Sequence, residues 1–297
     1  MAGIRTTIGA SKPPQERHWL GFRALSPRSL TFISFLSVLV IWEGVARTLG
    51  TSKATGASIL PDITTTLSAF VTYSNYWAGG LGAGDTRMGF DETLWGATLG
   101  LTYNLGATLL RLVNGLAIGL VLGVGIGFLV SWSGLVRSVL AFPVHFLRMM
   151  PLLALIPLFA MWFRDKNTGS ILFIAIAVFV LMFAATLNAV RNASPYQSQF
   201  ARSLGASELF VYFRVVFPGI LPELRSGILL SLGFSWNATI ASEFLGQHNG
   251  FGVIVMNAQE FGRMDLIMLS AVICIFSASL SFVFASRLFS RLVRWAE

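Results

Sequence analysis

The chain alternates six apolar windows of about 20 residues with shorter polar segments. The windows lie at roughly residues 30–50, 109–131, 140–163, 170–190, 219–245 and 266–287. About 20 apolar residues is the length that an α-helix needs to cross a hydrocarbon core of ~30 Å. Window 170–190 is apolar on every face, whereas a strand of a transmembrane barrel alternates apolar and polar positions. The pattern predicts an all-α integral membrane protein with about six transmembrane helices.

Composition excludes a soluble domain and a disordered chain. Of the 297 residues, 55% are hydrophobic and 11% are charged, whereas a soluble domain carries about 25% charged residues. The net charge of +8 would favour nucleic-acid binding in a soluble protein. In a membrane protein the basic residues sort by membrane side, so we expect no nucleic-acid partner. The single cysteine, Cys274, lies in an apolar window, which excludes a disulfide framework and a cysteine-based metal centre.

The basic residues fall mainly on one side of the membrane. The connecting segments on the side of the N-terminus hold twelve arginines and lysines, and the opposite segments hold six. By the positive-inside rule, both termini lie in the cytoplasm. We interpret residues 1–29 as a cytoplasmic segment and 30–50 as the first transmembrane helix, an uncleaved signal anchor. Residues 51–108 form an outer segment, and 109–297 form a core domain with a cytoplasmic segment at 191–218.

The outer segment has two predicted structural features and one short match to a catalytic motif. Positions 64–73 predict an amphipathic helix, and the glycine-rich stretch 79–89 predicts a mobile loop. Gly82-Ala83-Gly84-Asp85 matches the short Gly-x-Gly-Asp string of intramembrane aspartyl proteases. The sequence has no Tyr-Asp string to supply the second carboxylate that such acid–base chemistry needs.

Other catalytic motifs are missing from the sequence. A Walker A loop requires Gly-Lys, yet the three lysines follow serine or aspartate. The three histidines are isolated and none precedes a glutamate, so the H-E-x-x-H zinc motif is missing. We therefore expect no catalytic residue, no metal site and no bound ATP in this chain.

Glycines recur at every fourth position of the second window, at Gly115, Gly119, Gly123 and Gly127. This spacing places them on one face of a helix, where two backbones can approach closely. The stripe indicates helix packing, either against another span of the same chain or against a second subunit.

The third window contains three prolines, Pro143, Pro151 and Pro157. Proline removes a backbone donor, and membrane helices tolerate this where neighbours or a water-lined cavity satisfy the freed carbonyl groups. Arg148 lies between the prolines; it either snorkels or forms a structural pair, or it lines a path that favours anions. In the first window, Glu43 and Arg47 lie one helical turn apart and predict an ion pair.

The segment 191–222 carries the most informative motif. Its positions 201–213 predict a short helix outside the bilayer, and the alternative is an ordinary amphipathic interfacial loop. Its letters read Gln199-Phe200-Ala201-Arg202-Ser203-Leu204-Gly205, and Val215-Val216-Phe217-Pro218 begins ten residues after the glycine. The motif resembles the EAA motif of permease subunits in binding-protein-dependent ABC importers, although Gln199 and Phe200 stand where that family has Glu and Ala. The resemblance implies the type I ABC importer permease fold. It also implies an ATPase-coupling helix formed by Ala201, Arg202, Ser203, Leu204, Gly205, Ala206, Ser207, Glu208 and Leu209.

Further segments resemble the nitrate, sulfonate and taurine permease group, namely 147–157, 188–195, Trp236 with Glu243, and 291–295. The chain departs from the group in its longer outer segment 75–103 and in Arg164-Asp165-Lys166, where a Phe-Gly turn is usual. The resemblance implies a translocation pathway, and its candidate residues are Arg148, Met149, Asn188, Trp236 and Glu243. For Glu243 the alternatives are a pair with a basic residue and an interfacial carboxylate.

The same resemblance implies the partners. Two ATPase subunits bind ATP and Mg, a second copy of the chain forms a homodimeric pathway, and a periplasmic or lipid-anchored substrate-binding protein delivers the solute. The resemblance also implies a small anionic solute of the sulfonate, nitrate or carboxylate type and a location in the lipid of a bacterial cytoplasmic (inner) membrane. An ion-gradient-driven secondary transporter is the alternative; such carriers usually show inverted repeats and intramembrane carboxylates.

Overall fold

The computed structural model describes residues 27–50, 58–79 and 92–292. Within these ranges the chain is helical and contains no β-strand, so the all-α prediction is confirmed. The helices, numbered in chain order, are α1 (Pro27–Leu49), α2 (Ile63–Ser68), α3 (Leu94–Trp132), α4 (Gly134–Met149), α5 (Ile156–Trp162), α6 (Lys166–Asn192), α7 (Pro195–Ser203), α8 (Glu208–Val211), α9 (Phe217–Glu243), α10 (Phe251–Glu260) and α11 (Met264–Leu292). Ala69–Gly79 and Leu152–Leu155 are 3-10 helical, and Tyr212–Val216 is π-helical.

Five helical stretches of the described chain are long and apolar enough to span a membrane. They are Ser29–Leu49, Leu94–Trp132, Lys166–Asn192, Glu208–Glu243 and Met264–Arg291. The predicted window 140–163 corresponds instead to a helix pair, Gly134–Met149 and Leu152–Trp162, bent by 93°. With the pair counted as one span there are six, and the prediction of about six spans is confirmed.

Pro151 explains the bend. Met150, the residue before it, has an extended backbone with φ −72° and ψ 130°, because a following proline disfavours the helical conformation. Pro143 lies inside α4 without ending the helix. The span predicted over 140–163 therefore consists of two helices joined at a sharp bend, and the hydropathy pattern does not show that Pro151 causes the break while Pro143 does not.

The helix α3 begins at Leu94 rather than at residue 109. It runs for 39 residues, or about 58 Å at the helical rise of 1.5 Å per residue. Thr93 caps it, since its Oγ1 accepts a hydrogen bond of 3.0 Å from a first-turn N–H. Thr98, Thr102 and Asn104 lower the hydropathy of the first turns of α3, so the apolar pattern does not include these turns in the predicted span. The expected boundary at 108/109 between the outer segment and the core thus lies inside one helix.

The helix expected over 64–73 is shorter and of mixed type. Its α-helical part, α2, has six residues, and the 3-10 segment Ala69–Gly79 follows directly. The buried Tyr73 fixes this segment to α11, because the hydroxyls of Tyr73 and Ser270 share a hydrogen bond of 2.7 Å. The same segment also lies close to α3, and Gly100 allows this approach, since a Cβ there would lie 2.0 Å from the Tyr73 carbonyl oxygen. Burial raises the pKa of Tyr76 to about 12.

The core is built on α3, α6 and α9. The four glycines of α3 lie against α6, where they meet in chain order Ile174, Val178, Met182 and Thr186. A Cβ added at any of the four would come within 2.6–2.9 Å of these side chains. Positions four apart on one helix meet positions four apart on the other in the same order, so α3 and α6 run parallel in close contact. The glycine stripe therefore packs within the chain.

The helix α1 belongs to a separate compact unit that ends at Thr48. Its large apolar side chains, such as Phe32 and Phe35, are exposed, as expected for a single helix in lipid. The predicted Glu43–Arg47 ion pair is confirmed, with Arg47 Nη2 2.7 Å from Glu43 Oε1. Most of the expected N-terminal segment, the Gly-x-Gly-Asp string, nearly all of the glycine-rich stretch and the last residues of the 291–295 motif lie outside the described residues.

Candidate functional site

The segment between α6 and α9 consists of two short helices joined by a tight turn. Helix α7 ends in a Schellman turn, in which the Gly205 N–H donates to the Arg202 carbonyl at 2.9 Å and the Ala206 N–H to the Ala201 carbonyl at 3.1 Å. Gly205 has a φ of +85°, which glycine adopts without a steric penalty. The expectation of one helix over 201–213 is therefore wrong, because α7 ends before this turn and α8 begins after it.

This segment presents apolar side chains to its surroundings. None of the predicted coupling residues 201–209 is buried. The large exposed side chains, which we call the apolar face of segment 193–216, are Tyr196, Phe200, Leu204, Leu209, Phe210 and Phe213. A cluster of this kind indicates a surface that a partner or a bilayer covers. Arg202 and Glu208 form an exposed pair at 3.6 Å, and such pairs contribute about 0–1 kcal/mol.

Tyr212 connects this segment to the end of α3. Its hydroxyl donates to the Phe128 carbonyl at 2.9 Å, and the two ring centroids lie 4.2 Å apart. Phe217, the first residue of α9, packs on the same Phe128 ring with a centroid distance of 5.1 Å. A displacement of segment 193–216 would therefore act directly on both α3 and α9.

A cavity of about 540 Å³ lies between α4, α6 and the end of α3. We call it the basic cavity, because its polar lining consists of Ser131, Arg137, His145, Arg148, Asn188 and Arg191. No acidic side chain of the described ranges lines it. Arg137 is engaged with the backbone at the end of α3, since it donates to the carbonyls of Val130 and Ser131 at 3.3 and 3.2 Å.

The structure brings two of the five pathway candidates together. Arg148 and Asn188 both line the basic cavity, whereas the adjacent Met149 does not line it and is 84% exposed. Trp236 is buried between α9 and α11, where its Nε1–H donates to the Ser281 hydroxyl at 2.9 Å. In this conformation Trp236 is therefore part of the helix packing.

Glu243, the fifth candidate, is fully buried at the end of α9. Its Oε1 accepts hydrogen bonds from the Thr108 hydroxyl at 2.8 Å and from Arg111 Nη1 at 2.9 Å. Its Oε2 accepts from the Gly252 N–H at 2.7 Å. The alternative stated for Glu243, a pair with a basic residue, is confirmed, and the partner is Arg111.

Arg111 extends this pair into a buried network. It donates to Asn167 Oδ1 at 3.0 Å, to Gln247 Oε1 at 3.2 Å and to the Asn249 carbonyl at 2.9 Å. The network thus joins α3, α6, α9 and the loop that leads into α10. A buried pair persists only when its charges and remaining hydrogen-bonding atoms are satisfied, as they are here.

Arg111 is not among the site residues that the sequence pattern predicts. The signal was present, because an arginine inside the predicted span 109–131 is expected to have a partner within the protein. Hydropathy averaging concealed it, since one charge among many apolar residues leaves the window apolar. In the described residues, no group of three or more His, Cys, Asp or Glu side chains could hold a metal ion.

Comparisons with known proteins identify the family of the chain. The family described as "Binding-protein-dependent transport system inner membrane component" matches residues 81–296. The chain is 31% identical over 205 residues to the taurine transport system permease protein of Escherichia coli (strain K12), which covers 69% of this chain and 72% of that protein. It is 28% identical over 177 residues to the nitrate import permease protein of Leptolyngbya laminosa, covering 60% of this chain and 63% of that protein.

A solved structure of the methionine ABC transporter in an inward-facing conformation has a similar fold, with a TM-score of 0.57 at 18% identity. The match covers 65% of this chain and 94% of that chain. The predicted type I importer permease fold is therefore confirmed. With its family match extending over residues 81–296, the chain belongs to the inner membrane components of binding-protein-dependent transport systems.

Proposed function

We propose that this permease carries a small anionic solute of the sulfonate, nitrate or carboxylate type and takes its energy from separate ATPase subunits. The observation that carries the proposal is the family match over residues 81–296. Two relatives are named for taurine and for nitrate, which supports an oxyanionic solute. The basic cavity supports the same charge preference, because an arginine-rich lining attracts anions. The ion-gradient alternative has no support from these relatives.

We further propose that residues 201–209 couple the permease to the ATPase. The apolar face of segment 193–216 supports this role, because it offers a compact exposed surface at one end of the helices. The contacts of Tyr212 with Phe128 would transmit a push on this surface to α3 and α9. Closure of the ATPase subunits on ATP and Mg would then shift the population between inward-open and outward-open states.

The assembly that we propose contains two ATPase subunits, a second copy of this chain and a periplasmic or lipid-anchored substrate-binding protein. The pathway would form between the two permease copies in a bacterial inner membrane. The excess of basic residues in the segments on the N-terminal side supports cytoplasmic termini. Arg148, Met149, Asn188, Trp236 and Glu243 remain proposals as pathway residues.

Co-purification and uptake test the proposal together. The tagged chain is expected to bring down a P-loop ATPase in equal copy number from its own host in mild detergent. Gly205→Arg places a large side chain at a φ of +85° within the coupling turn, and we expect a complex that still assembles but whose ATP-driven uptake falls at least tenfold.

Gly246→Arg is the matched control. Gly246 has the same φ of +85°, and an added Cβ meets nothing within 4 Å at either glycine, but Gly246 lies beyond the opposite end of α9. Uptake should persist in this variant. Normal uptake by Gly205→Arg would refute the coupling assignment, and isolation of the chain without any ATPase would count against the importer proposal itself.

A further inference from the structure

The basic cavity is formed by two helix faces that point towards each other. On α4 its lining residues are Arg137, Ala141, His145 and Arg148. These positions are spaced by four, four and three residues, so they lie along one side of the helix. On α6 the lining residues are Ala184, Leu187, Asn188, Val190 and Arg191, most of which share one side of that helix.

The opposite side of α4 is apolar and exposed. Its side chains are Leu135, Val139, Phe142, Phe146 and Met149, each at least 60% exposed. A helix of this kind turns its apolar side to lipid or to another subunit and its basic side to the protein. Arginines near the ends of membrane helices either snorkel to the interface or face a water-filled cavity. Snorkelling alone does not explain why the basic side of α4 faces α6.

Two of the guanidinium groups lack an acceptor from the protein. Arg137 is engaged with the Val130 and Ser131 carbonyls. Arg148 and Arg191, in contrast, are exposed near the ends of α4 and α6 and have neither a hydrogen bond nor an ion pair within the described part of the chain. Like charges that line one cavity raise its potential, and an anion bound between them would lower it. A guanidinium presents a planar fork of donors that matches the oxygens of a carboxylate, sulfonate or phosphate.

We propose that the basic cavity binds the oxyanion group of a small molecule or headgroup between Arg148 and Arg191, with the Asn188 amide as a further donor. A volume of about 540 Å³ lies within the range of about 300–1,000 Å³ that small-molecule sites occupy. The apolar walls at Val130, Leu187 and Val190 suit a short hydrocarbon part. The ligand class is therefore a sulfonate, carboxylate or phosphate ester. The inference deepens the proposed function and depends on it only where the anion is the transported solute.

Two sources can supply this group, a transported solute and the headgroup of an anionic phospholipid. The test uses the full chain in nanodiscs, without any ATPase. In the first arm the lipid is phosphatidylcholine, and equilibrium binding of radiolabelled ethanesulfonate is measured. In the second arm phosphatidylglycerol is included, and native mass spectrometry counts the lipid that the chain retains.

Arg148→Gln and Arg191→Gln should each weaken binding at least tenfold, in whichever arm the unchanged protein binds ethanesulfonate or phosphatidylglycerol. Arg287→Gln is the matched control, because it removes the same charge from an exposed position of α11 that does not line the cavity; its affinity should stay within twofold of the unchanged protein. Size-exclusion profiles and helical circular dichroism verify that the variants are folded.

Saturable ethanesulfonate binding identifies the solute as the source of the oxyanion, and retention of phosphatidylglycerol alone identifies the lipid headgroup. Either result supports the site if Arg148→Gln and Arg191→Gln abolish or weaken that binding. Absence of binding in both arms, or equal loss in Arg287→Gln, overturns the inference. The proposed function fails separately, because it depends on recovery of an ATPase. An oxyanion bound by a chain that has no ATPase partner would preserve the site and refute the importer.

Discussion

At the scale of single residues, the buried Arg111–Glu243 pair makes the stability of the protein sensitive to substitution of either member. Its side chains are 6% and 0% exposed, so solvent cannot replace a lost partner. Removal of one member of a buried pair costs about 3–5 kcal/mol, because the other charge remains without compensation. Four structural elements depend on these two side chains, and a local loss would therefore extend beyond α3 and α9.

We expect Glu243→Gln to destabilise the protein by about 3–5 kcal/mol and the double variant Arg111→Met/Glu243→Gln to recover part of that loss. The free energy of unfolding in detergent, measured with denaturant and Trp fluorescence, gives both values. Glu43→Gln is the control: its partner Arg47 is 74% exposed, and loss of an exposed pair costs about 0–1 kcal/mol. Equal effects at the two glutamates would contradict the buried-pair argument.

Sequence alone could predict part of this residue-scale picture. The Glu43–Arg47 pair follows from a spacing of four within one helix, so the local pattern contains all the information it needs. The Arg111–Glu243 pair joins positions 132 residues apart, and its formation depends on tertiary packing. The pattern shows two intramembrane charges that need partners, but it does not show that they are each other's partner.

At the scale of elements, the α3–α6 contact depends on the absence of side chains. An added Cβ at Gly119 would lie 2.6 Å from both the Val178 Cβ and the Ala175 carbonyl oxygen. Real Cβ atoms do not approach this closely, so the helices would have to separate. Loss of contact along this parallel seam would affect the largest apolar cluster of the described residues, to which Val178 and Met182 belong.

We expect Gly119→Ala to destabilise the protein by about 1–3 kcal/mol, the usual cost of overpacking. Gly125→Ala, in the same helix but with nothing within 4 Å of the added Cβ, should be neutral or slightly stabilising, because alanine favours helix by about 1 kcal/mol over glycine. Thermal unfolding midpoints of the two variants in the same detergent compare them directly. A Gly119→Ala variant as stable as Gly125→Ala would show that the seam tolerates separation.

The periodic elements are those that the sequence predicts well. The four-residue glycine spacing predicts the packing face of α3, and long apolar windows predict the five long spans, although α3 begins well before its window. The break at Pro151 and the early start of α3 depend on local chemistry that a hydropathy average removes: a restricted Met150 backbone in one case and a Thr93 cap in the other. The turn at Gly205 was missed for the same reason, although glycine there was itself the signal for a helix end.

At the scale of the whole molecule, α9 connects the proposed coupling segment to the buried network of Arg111 and Glu243. Its first residue, Phe217, packs on Phe128 beside the segment that we propose to couple to the ATPase. Its last residue, Glu243, is fixed by the buried network that includes Thr108 and Arg111. α9 also contains Pro222 within the helix. If segment 193–216 couples to the ATPase as we propose, a push on this segment would tilt α9 about the end that the buried network holds.

This arrangement requires the two ends of α9 to lie on opposite sides of the membrane, and labelling in cells tests that. With Cys274 replaced by alanine, single cysteines are introduced as Gln199→Cys in α7 and Glu260→Cys at the end of α10, both at exposed positions. An impermeant maleimide added to intact spheroplasts should label Glu260→Cys at once. Gln199→Cys should react only after the membrane is disrupted, because the positive-inside rule places segment 193–216 in the cytoplasm. Labelling of both from outside would contradict a spanning α9, and the reverse pattern would invert the orientation and remove the coupling segment from the side where ATP is available.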